Sequence, residues 1–250
     1  MRMTWRDLLF LHWPVSEADL RPLIPPQLEI DLHEGTAWIG LVPFLMEDVR
    51  PRLGPFPVPP VPVLAPKAFP ECNVRTYVRY GDRPGVWFMS LDATPWLSVI
   101  GARMFWRLNY CWSHIKVQRE GNTIDYQLKR RHGRARCIRG ASPSWPHPNP
   151  KGEPCASHIR WTLGEPLPET QPGSLEHFLT ARYSLFSMRR NVILDGRIAH
   201  EPWPLRQAKL EHLNDTLVKT SAFAVHGDPI VHASDGVETV AWPLKPQPVR

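Results

Sequence analysis

Short segments that alternate apolar and polar residues, each closed by a turn signal, recur along this chain and restrict it to a fold dominated by β-strands. Asn73 to Tyr80 is the plainest example. Val74, Thr76, Val78 and Tyr80 fall on one side of it, and Asn73, Arg75, Tyr77 and Arg79 on the other. Gly81-Asp82-Arg83-Pro84-Gly85 then turns the chain, and Val86 to Leu91 reads as the next strand. Tyr110 to Gln118 and Thr123 to Arg131 form an expected hairpin across Glu120-Gly121-Asn122, with Arg134 to Arg139 continuing as strand. His158 to Leu163, Tyr183 to Met188, Asn191 to Leu194 and Arg197 to His200 add further strands, and two β segments flank Ser234-Asp235-Gly236. Leu28 to Asp31 and Thr36 to Met46 read as strands joined at Glu34-Gly35, a hairpin signal. The second is apolar on both faces and is expected at the centre of a sheet.

Helical signals are few and short. Pro14 to Leu20 carries Ser16 and Asp19 at capping-box spacing and is ended by Pro25-Pro26. Thr94 and Pro95 mark a helix start expected to run to Trp106. Ser174 to Leu179 reads as a further helix, and Asp215 to Phe223 is compatible with another. Arg50 to Pro70 holds eight prolines in twenty-one residues, which excludes it from helices and central strands. It reads as a polyproline-like surface excursion or, being long and apolar, as the wall or lid of a pocket. Ala141 to Pro154 is a second proline-rich loop. No Gly/Ser linker divides the chain, so residues 1–250 read as a single domain of barrel or sandwich-like architecture.

Several function classes are set aside at this stage. No apolar run approaches the roughly 18 residues that cross a bilayer. Leu8 to Pro14 is too short for a signal peptide and no cleavage site follows, so a cytoplasmic location and no membrane partner are expected. Cys72, Cys111, Cys137 and Cys155 are widely spaced and read as reduced, mostly buried thiols. The net charge of +6 leaves nucleic acid in view, and Lys129 to Arg139 contains no acid. Alternate residues of a strand point to opposite faces, however, and no aromatics are interleaved for base stacking. That run reads as a solvated strand, and no nucleic-acid partner is expected. The common nucleophile, zinc and phosphate-loop motifs are missing from the sequence, and Cys155-Ala156-Ser157-His158 has no second ligand pair. Neither a metal nor a cofactor is expected.

A set of longer stretches carries a family resemblance. They are Trp13-Pro14-Val15, Phe69-Pro70-Glu71-Cys72-Asn73-Val74-Arg75-Thr76-Tyr77-Val78, Trp87-Phe88-Met89-Ser90-Leu91-Asp92-Ala93, Gly101 to Tyr110, and His200-Glu201-Pro202-Trp203-Pro204-Leu205. In this order, over almost the whole chain, they resemble the YqjF-like proteins, a bacterial family of unknown function. That family is similar to the acetoacetate decarboxylase-like fold. The resemblance implies a mainly β (α+β) protein, a closed, cone-shaped β barrel with a few short helices and a buried pocket, in a homo-oligomer. In the decarboxylases a helix carrying G-R-E runs into P-K-K, whose first lysine forms a Schiff base with a β-keto acid. A neighbouring cation lowers that lysine's pKa. Laid over this chain, Arg103 falls on the arginine, Asn109-Tyr110-Cys111 falls on P-K-K, and Glu71 falls on a pocket glutamate of the preceding strand. Both lysines are replaced. Lys116, nearest in sequence, shares a polar strand face with His114 and Gln118 and reads as solvated.

What remains can still act on a carbonyl. Arg103 can anchor a carboxylate or enolate by charge-assisted hydrogen bonds, with Arg75 and Asn73 as further binding residues. Glu71 can transfer a proton once burial raises its pKa, and Tyr110 can hydrogen-bond or donate. Trp203, between two prolines, can stack on a ligand or simply pack the core. The structural alternative is a buried Glu71–Arg103 ion pair that fixes helix against strand. The sequence therefore points to a small-molecule pocket protein. It reads as an enzyme on a small carbonyl or carboxylate compound without the Schiff-base lysine, or else as a non-catalytic binding or sensor protein.

Overall fold

A computed structural model describes residues 1–50, 67–96, 107–131 and 154–248, with the backbone of residues 52–53 and 56–57 in addition. In chain order the strands are β1 (Arg2–Val15), β2 (Glu29–Ile30), β3 (Ala37–Arg50), β4 (Arg52–Leu53), β5 (Phe56–Pro57), β6 (Ala68–Tyr80), β7 (Arg83–Ala93) and β8 (Tyr110–Glu120). They continue as β9 (Thr123–Arg130), β10 (Ala156–Pro166), β11 (Ser184–Arg189), β12 (Val192–His200), β13 (Leu205–Asp215), β14 (Ile230–Ala241) and β15 (Lys245–Pro246). The short helices Glu17–Leu20, Leu175–Thr180 and Leu217–Ser221 interrupt them. Ser16 and Ser174 cap the first two, accepting from the backbone N–H groups of Ala18 and His177. No helix among the described residues is long and apolar enough to cross a membrane.

Thirteen strands pair in the order β15-β12-β11-β7-β8-β9-β10-β13-β14-β1-β3-β6-β2. Additional β6–β7 and β12–β14 pairings close this sheet into a ring. Two prolines inside the central strands are accommodated by interruptions in the ladder. Pro43 of β3 pairs with Cys72 of β6, but on its other side the β1 ladder is broken between Arg6 and Leu11. Pro70 of β6 pairs with Leu45, while the β7 ladder begins only at Glu71. In both places the missing N–H would have met no partner strand.

Both faces of the central strands are buried. On one, Leu9, Leu11, Ile39, Leu41, Cys72 and Val74 pack with Tyr126, Ile159 and Trp161. On the other, Phe10, Phe44, Phe69 and Trp203 form a second cluster, and Tyr77, Leu91 and Leu179 a third. Each fully buried large apolar side chain contributes about 1.5–3 kcal/mol.

The strand-rich architecture follows the sequence pattern, with local differences. The turn at Glu34-Gly35 is present, with φ of 48° and 77°. Beyond the His33–Thr36 bridge, however, the two segments part: β2 pairs with β6, and β3 lies between β1 and β6. Residues 191–200, read as two strands, form the single strand β12. The two segments around Ser234-Asp235-Gly236 likewise form one strand, β14. Gly236 makes this continuity possible: its φ is 131°, and a Cβ there would lie 2.0 Å from the Trp5 carbonyl oxygen. Residues 205–215 were not recognised as strand and form β13. The helix expected to Trp106 is described only to residue 96, and most of the two proline-rich loops, Cys137 and the strand expected over 134–139 lie outside the described residues.

Candidate active site

The alternation of β6 puts Glu71, Asn73, Arg75 and Tyr77 on one face, successive members about 7 Å apart along the strand. Leu91 of β7 faces Asn73 on one side and, through a parallel ladder, Tyr110 of β8 on the other. Tyr110 therefore stands on the same face as Glu71, and its hydroxyl donates to Glu71 Oε2 at 3.0 Å. Glu71 is 2 % exposed. Burial raises its pKa to about 8, opposed by the Tyr110 hydrogen bond and aided by the negative charge of Asp92. Tyr110 is held well above the ordinary phenol range, first by burial and then by Glu71. The pair is thus a neutral carboxyl beside a neutral phenol at pH 7.

A second group lies farther along the same face. Tyr77 donates to the Leu179 carbonyl at 2.8 Å, and Arg75 Nη2 donates to the same oxygen at 3.1 Å. His12 Nε2 is 2.6 Å from the Tyr77 hydroxyl. Since the single hydroxyl proton goes to Leu179, His12 must donate from Nε2, and its Nδ1 carries a lone pair. Burial, then the charge of Arg75, then His232 push His12 well below its usual pKa, so it is neutral. Gly40 makes room for the ring, since a Cβ there would lie 2.9 Å from His12 Cδ2. The Arg75 guanidinium sits 5.6 Å from the Phe10 ring centroid and 5.7 Å from that of Tyr77. Among the described residues Arg75 pairs with no carboxylate. The sequence outside them holds a single acid, Glu153.

The sequence candidates are distributed as follows. Glu71 and Tyr110 are in hydrogen-bond contact. Asn73 and Arg75 share their face, and Asn73 is buried with Oδ1 unpartnered among the described residues. Trp203 is built into the apolar cluster, stacked on Trp5 at 5.9 Å and edge-on to Phe10 at 5.3 Å, with its N–H donated to the Thr180 carbonyl. Arg103, and with it the expected Glu71–Arg103 ion pair, lies outside the described residues. Lys116, His114 and Gln118 are exposed, as are Lys67, Lys129, Lys209, Lys219 and Lys245. Cys72, Cys111 and Cys155 are buried, and Cys72 and Cys155 are free thiols. Burial pushes the Cys72 thiol well up and that of Cys155 to about 11, which disfavours reactive thiolates at both.

Sequence reasoning missed His12, Tyr77 and His232, although a histidine inside the apolar run Leu8 to Trp13 was a usable signal. It also read the whole basic run from Lys129 as solvated. Lys129 and Arg131 are exposed, but Arg130 is buried in a two-point ion pair with Asp92, Nη2–Oδ2 at 2.6 Å and Nε–Oδ1 at 2.8 Å. The period-two pattern accounts for this, because Arg130 shares the inward face of β9 with Ile124, Tyr126 and Leu128. Arg134, Arg136 and Arg139 lie outside the described residues.

Comparison with known proteins agrees with this fold. The DUF2071 family model, described as an uncharacterised conserved protein, matches residues 2–238. The uncharacterised protein YqjF of Bacillus subtilis (strain 168) is 35% identical over 246 residues, covering 98% of this chain and 91% of that protein. Among solved structures, the enduracididine biosynthesis enzyme MppR, complexed with the condensation product of pyruvate and imidazole 4-carboxaldehyde, superposes with a TM-score of 0.59. Its identity is 11%, over 97% of this chain and 88% of MppR. An acetoacetate decarboxylase-like enzyme from Sphingomonas wittichii RW1 gives 0.58 at 14% identity, over 98% of this chain and 93% of its own. At such identities the likeness shows a shared acetoacetate decarboxylase-like fold.

Proposed function

The chain belongs to the DUF2071 family, and on that premise we propose that it is an enzyme acting on a small carbonyl or carboxylate compound without a Schiff-base lysine. The observation that carries the proposal is the Glu71–Tyr110 pair. A carboxyl with a pKa of about 8 can give up or take a proton at physiological pH, where an ordinary carboxylate is a poor acid. In the proposed reaction Glu71 exchanges a proton with the carbon next to a carbonyl, while Tyr110 steadies the carboxyl by its hydrogen bond. Arg75 and Arg103 anchor the substrate's anionic group. The exposure of every described lysine supports a route without an amine nucleophile. The MppR neighbour, which holds a pyruvate-derived compound, supports starting the search with keto acids.

Hydrogen–deuterium exchange at the α-carbon of small keto acids, followed by NMR in heavy water, tests this reading. The wild type is expected to speed exchange for at least one compound. Glu71→Gln should lose it by about a hundredfold or more and Tyr110→Phe by less, in keeping with general acid–base contributions. Binding without exchange would leave a carrier or sensor protein, a reading favoured by Arg75, which meets no carboxylate among the described residues, whereas full activity in Glu71→Gln would move the proton transfer to another group. From the family resemblance we propose a homo-oligomer, which light scattering on the purified protein tests, and from the short apolar start of the chain a cytoplasmic location, which cell fractionation tests.

A further inference from the structure

Four buried side-chain atoms on the Arg75 face have no hydrogen-bond partner among the described residues: His12 Nδ1, Asn73 Oδ1, Arg75 Nε and His232 Nδ1. They belong to one neighbourhood. Asn73 precedes Arg75 on the same face of β6. Phe10 lies under the Arg75 guanidinium and next to the His12 ring, with centroids 6.2 Å apart. His232 pairs with Phe10 across the β1–β14 ladder. His12 is fully buried, and Asn73 and His232 are 6 % and 9 % exposed. Buried polar groups are nearly always satisfied, so several unpaired atoms in one place mark a position where something else binds.

The chemistry of the four atoms is uneven. The Tyr77 hydrogen bond fixes His12 with its proton on Nε2, so Nδ1 can only accept. Asn73 Oδ1 also accepts, whereas Arg75 Nε–H donates and carries charge. A plain carboxylate or keto acid can answer Arg75 but offers nothing to the two acceptors. An occupant that answers both Arg75 and His12 needs an anionic acceptor and a hydroxyl donor, which leaves Asn73 Oδ1 and His232 Nδ1 to a second hydroxyl or to water.

We propose that this face is a subsite for a small hydroxy acid, with its carboxylate on Arg75 and its hydroxyl donating to His12 Nδ1. This deepens the reading above by naming a substrate class for the same face, yet it rests on hydrogen-bond complementarity and not on the reaction. Tyr77 is a positioning residue here: it holds His12 in the accepting tautomer without touching the ligand.

Calorimetric titration with lactate, glycerate, pyruvate and propanoate tests the proposal. The wild type is expected to bind the two hydroxy acids at least tenfold more tightly than pyruvate or propanoate. Arg75→Met should lose binding of all four. His12→Phe should keep weak carboxylate binding and lose the preference, and Tyr77→Phe should reduce the preference in the same direction if the His12 variant does not fold. Equal affinity for the four compounds, an unchanged preference in both ring variants, or no binding of any compound would overturn the subsite and leave solvent as its occupant. Following α-carbon exchange in the wild type beside the titration separates the two readings. Preference retained without any turnover defeats the proposed reaction alone, whereas turnover without preference defeats the subsite alone.

Discussion

Tyr110 reaches Glu71 across an intervening strand. β6 and β8 do not pair with each other; β7 lies between them, and its Leu91 faces Asn73 on one side and Tyr110 on the other. The 3.0 Å hydrogen bond from Tyr110 to Glu71 therefore spans the face of β7 beside Ala93, the small residue that pairs with Glu71. Three strands must be in register for the contact to exist, which makes it a sensitive reporter of the fold around it.

The raised pKa of Glu71 has a defined sign in stability. Below about 4.5 the carboxyl is neutral in both folded and unfolded chains. Between there and about 8 the folded chain keeps a proton that the unfolded chain releases. Stability is thus lost as pH rises through that window, by up to about 1.4 kcal/mol per unit. Glu71→Gln removes this cost while still accepting from Tyr110. Its melting temperature is expected to match the wild type at pH 4 and to exceed it at pH 7.5, and a difference that does not grow with pH would show that Glu71 is not held neutral.

The Asp92–Arg130 pair has side chains 0 % and 1 % exposed, and Ser113 adds a 2.5 Å hydrogen bond to Asp92. Breaking it from one side leaves a buried charge unpaired. Asp92→Leu or Arg130→Met alone is expected to cost about 3–5 kcal/mol in urea unfolding. The double variant should recover much of that loss, and strictly additive losses would argue against coupling.

Gly236→Ala places a Cβ against the Trp5 carbonyl at a backbone angle that L-residues rarely adopt. It is expected to cost at least about 2 kcal/mol. Gly121→Ala, with φ of 60° and open space around it, should cost only about 1 kcal/mol. Denaturant midpoints of the two variants check the contrast.

For Trp203 the question is core against ligand wall. Its stack on Trp5 and its bond to Thr180 lead to a loss of about 3–5 kcal/mol on Trp203→Ala. Trp203→Phe should lose about 1 kcal/mol, because the indole N–H bond to the Thr180 carbonyl goes while the Arg182 N–H still donates to that oxygen. Unchanged stability with altered ligand affinity would assign it to the wall instead.

Much of this architecture is legible in the residues because strand period and turn chemistry are local. The hairpin turns at Gly81 and Gly121, with φ of 59° and 60°, fall where the glycines indicated. Pairing is not local. The Glu34-Gly35 turn was readable, but period two states which side a residue faces, not which strand lies beside it, and β2 joined β6. β13 escaped notice because Arg206, Lys209, Glu211 and His212 interrupt its apolar pattern. At the site, the face of Glu71, Asn73 and Arg75 followed from alternation alone, whereas the His12–Tyr77 contact joins residues 65 positions apart and needed the assembled sheet.

The β1–β14 ladder joins Arg2 to Val240, and the amino group of Met1 donates to the Ala241 carbonyl, 240 positions away. On the ribosome, β1 is made well before β14, the strand that covers its second edge. One edge of β1, including the apolar run Leu8 to Leu11, must stay uncovered until β14 has emerged. This ladder therefore forms only once β14 is made, and the nascent chain spends that interval as a template for aggregation.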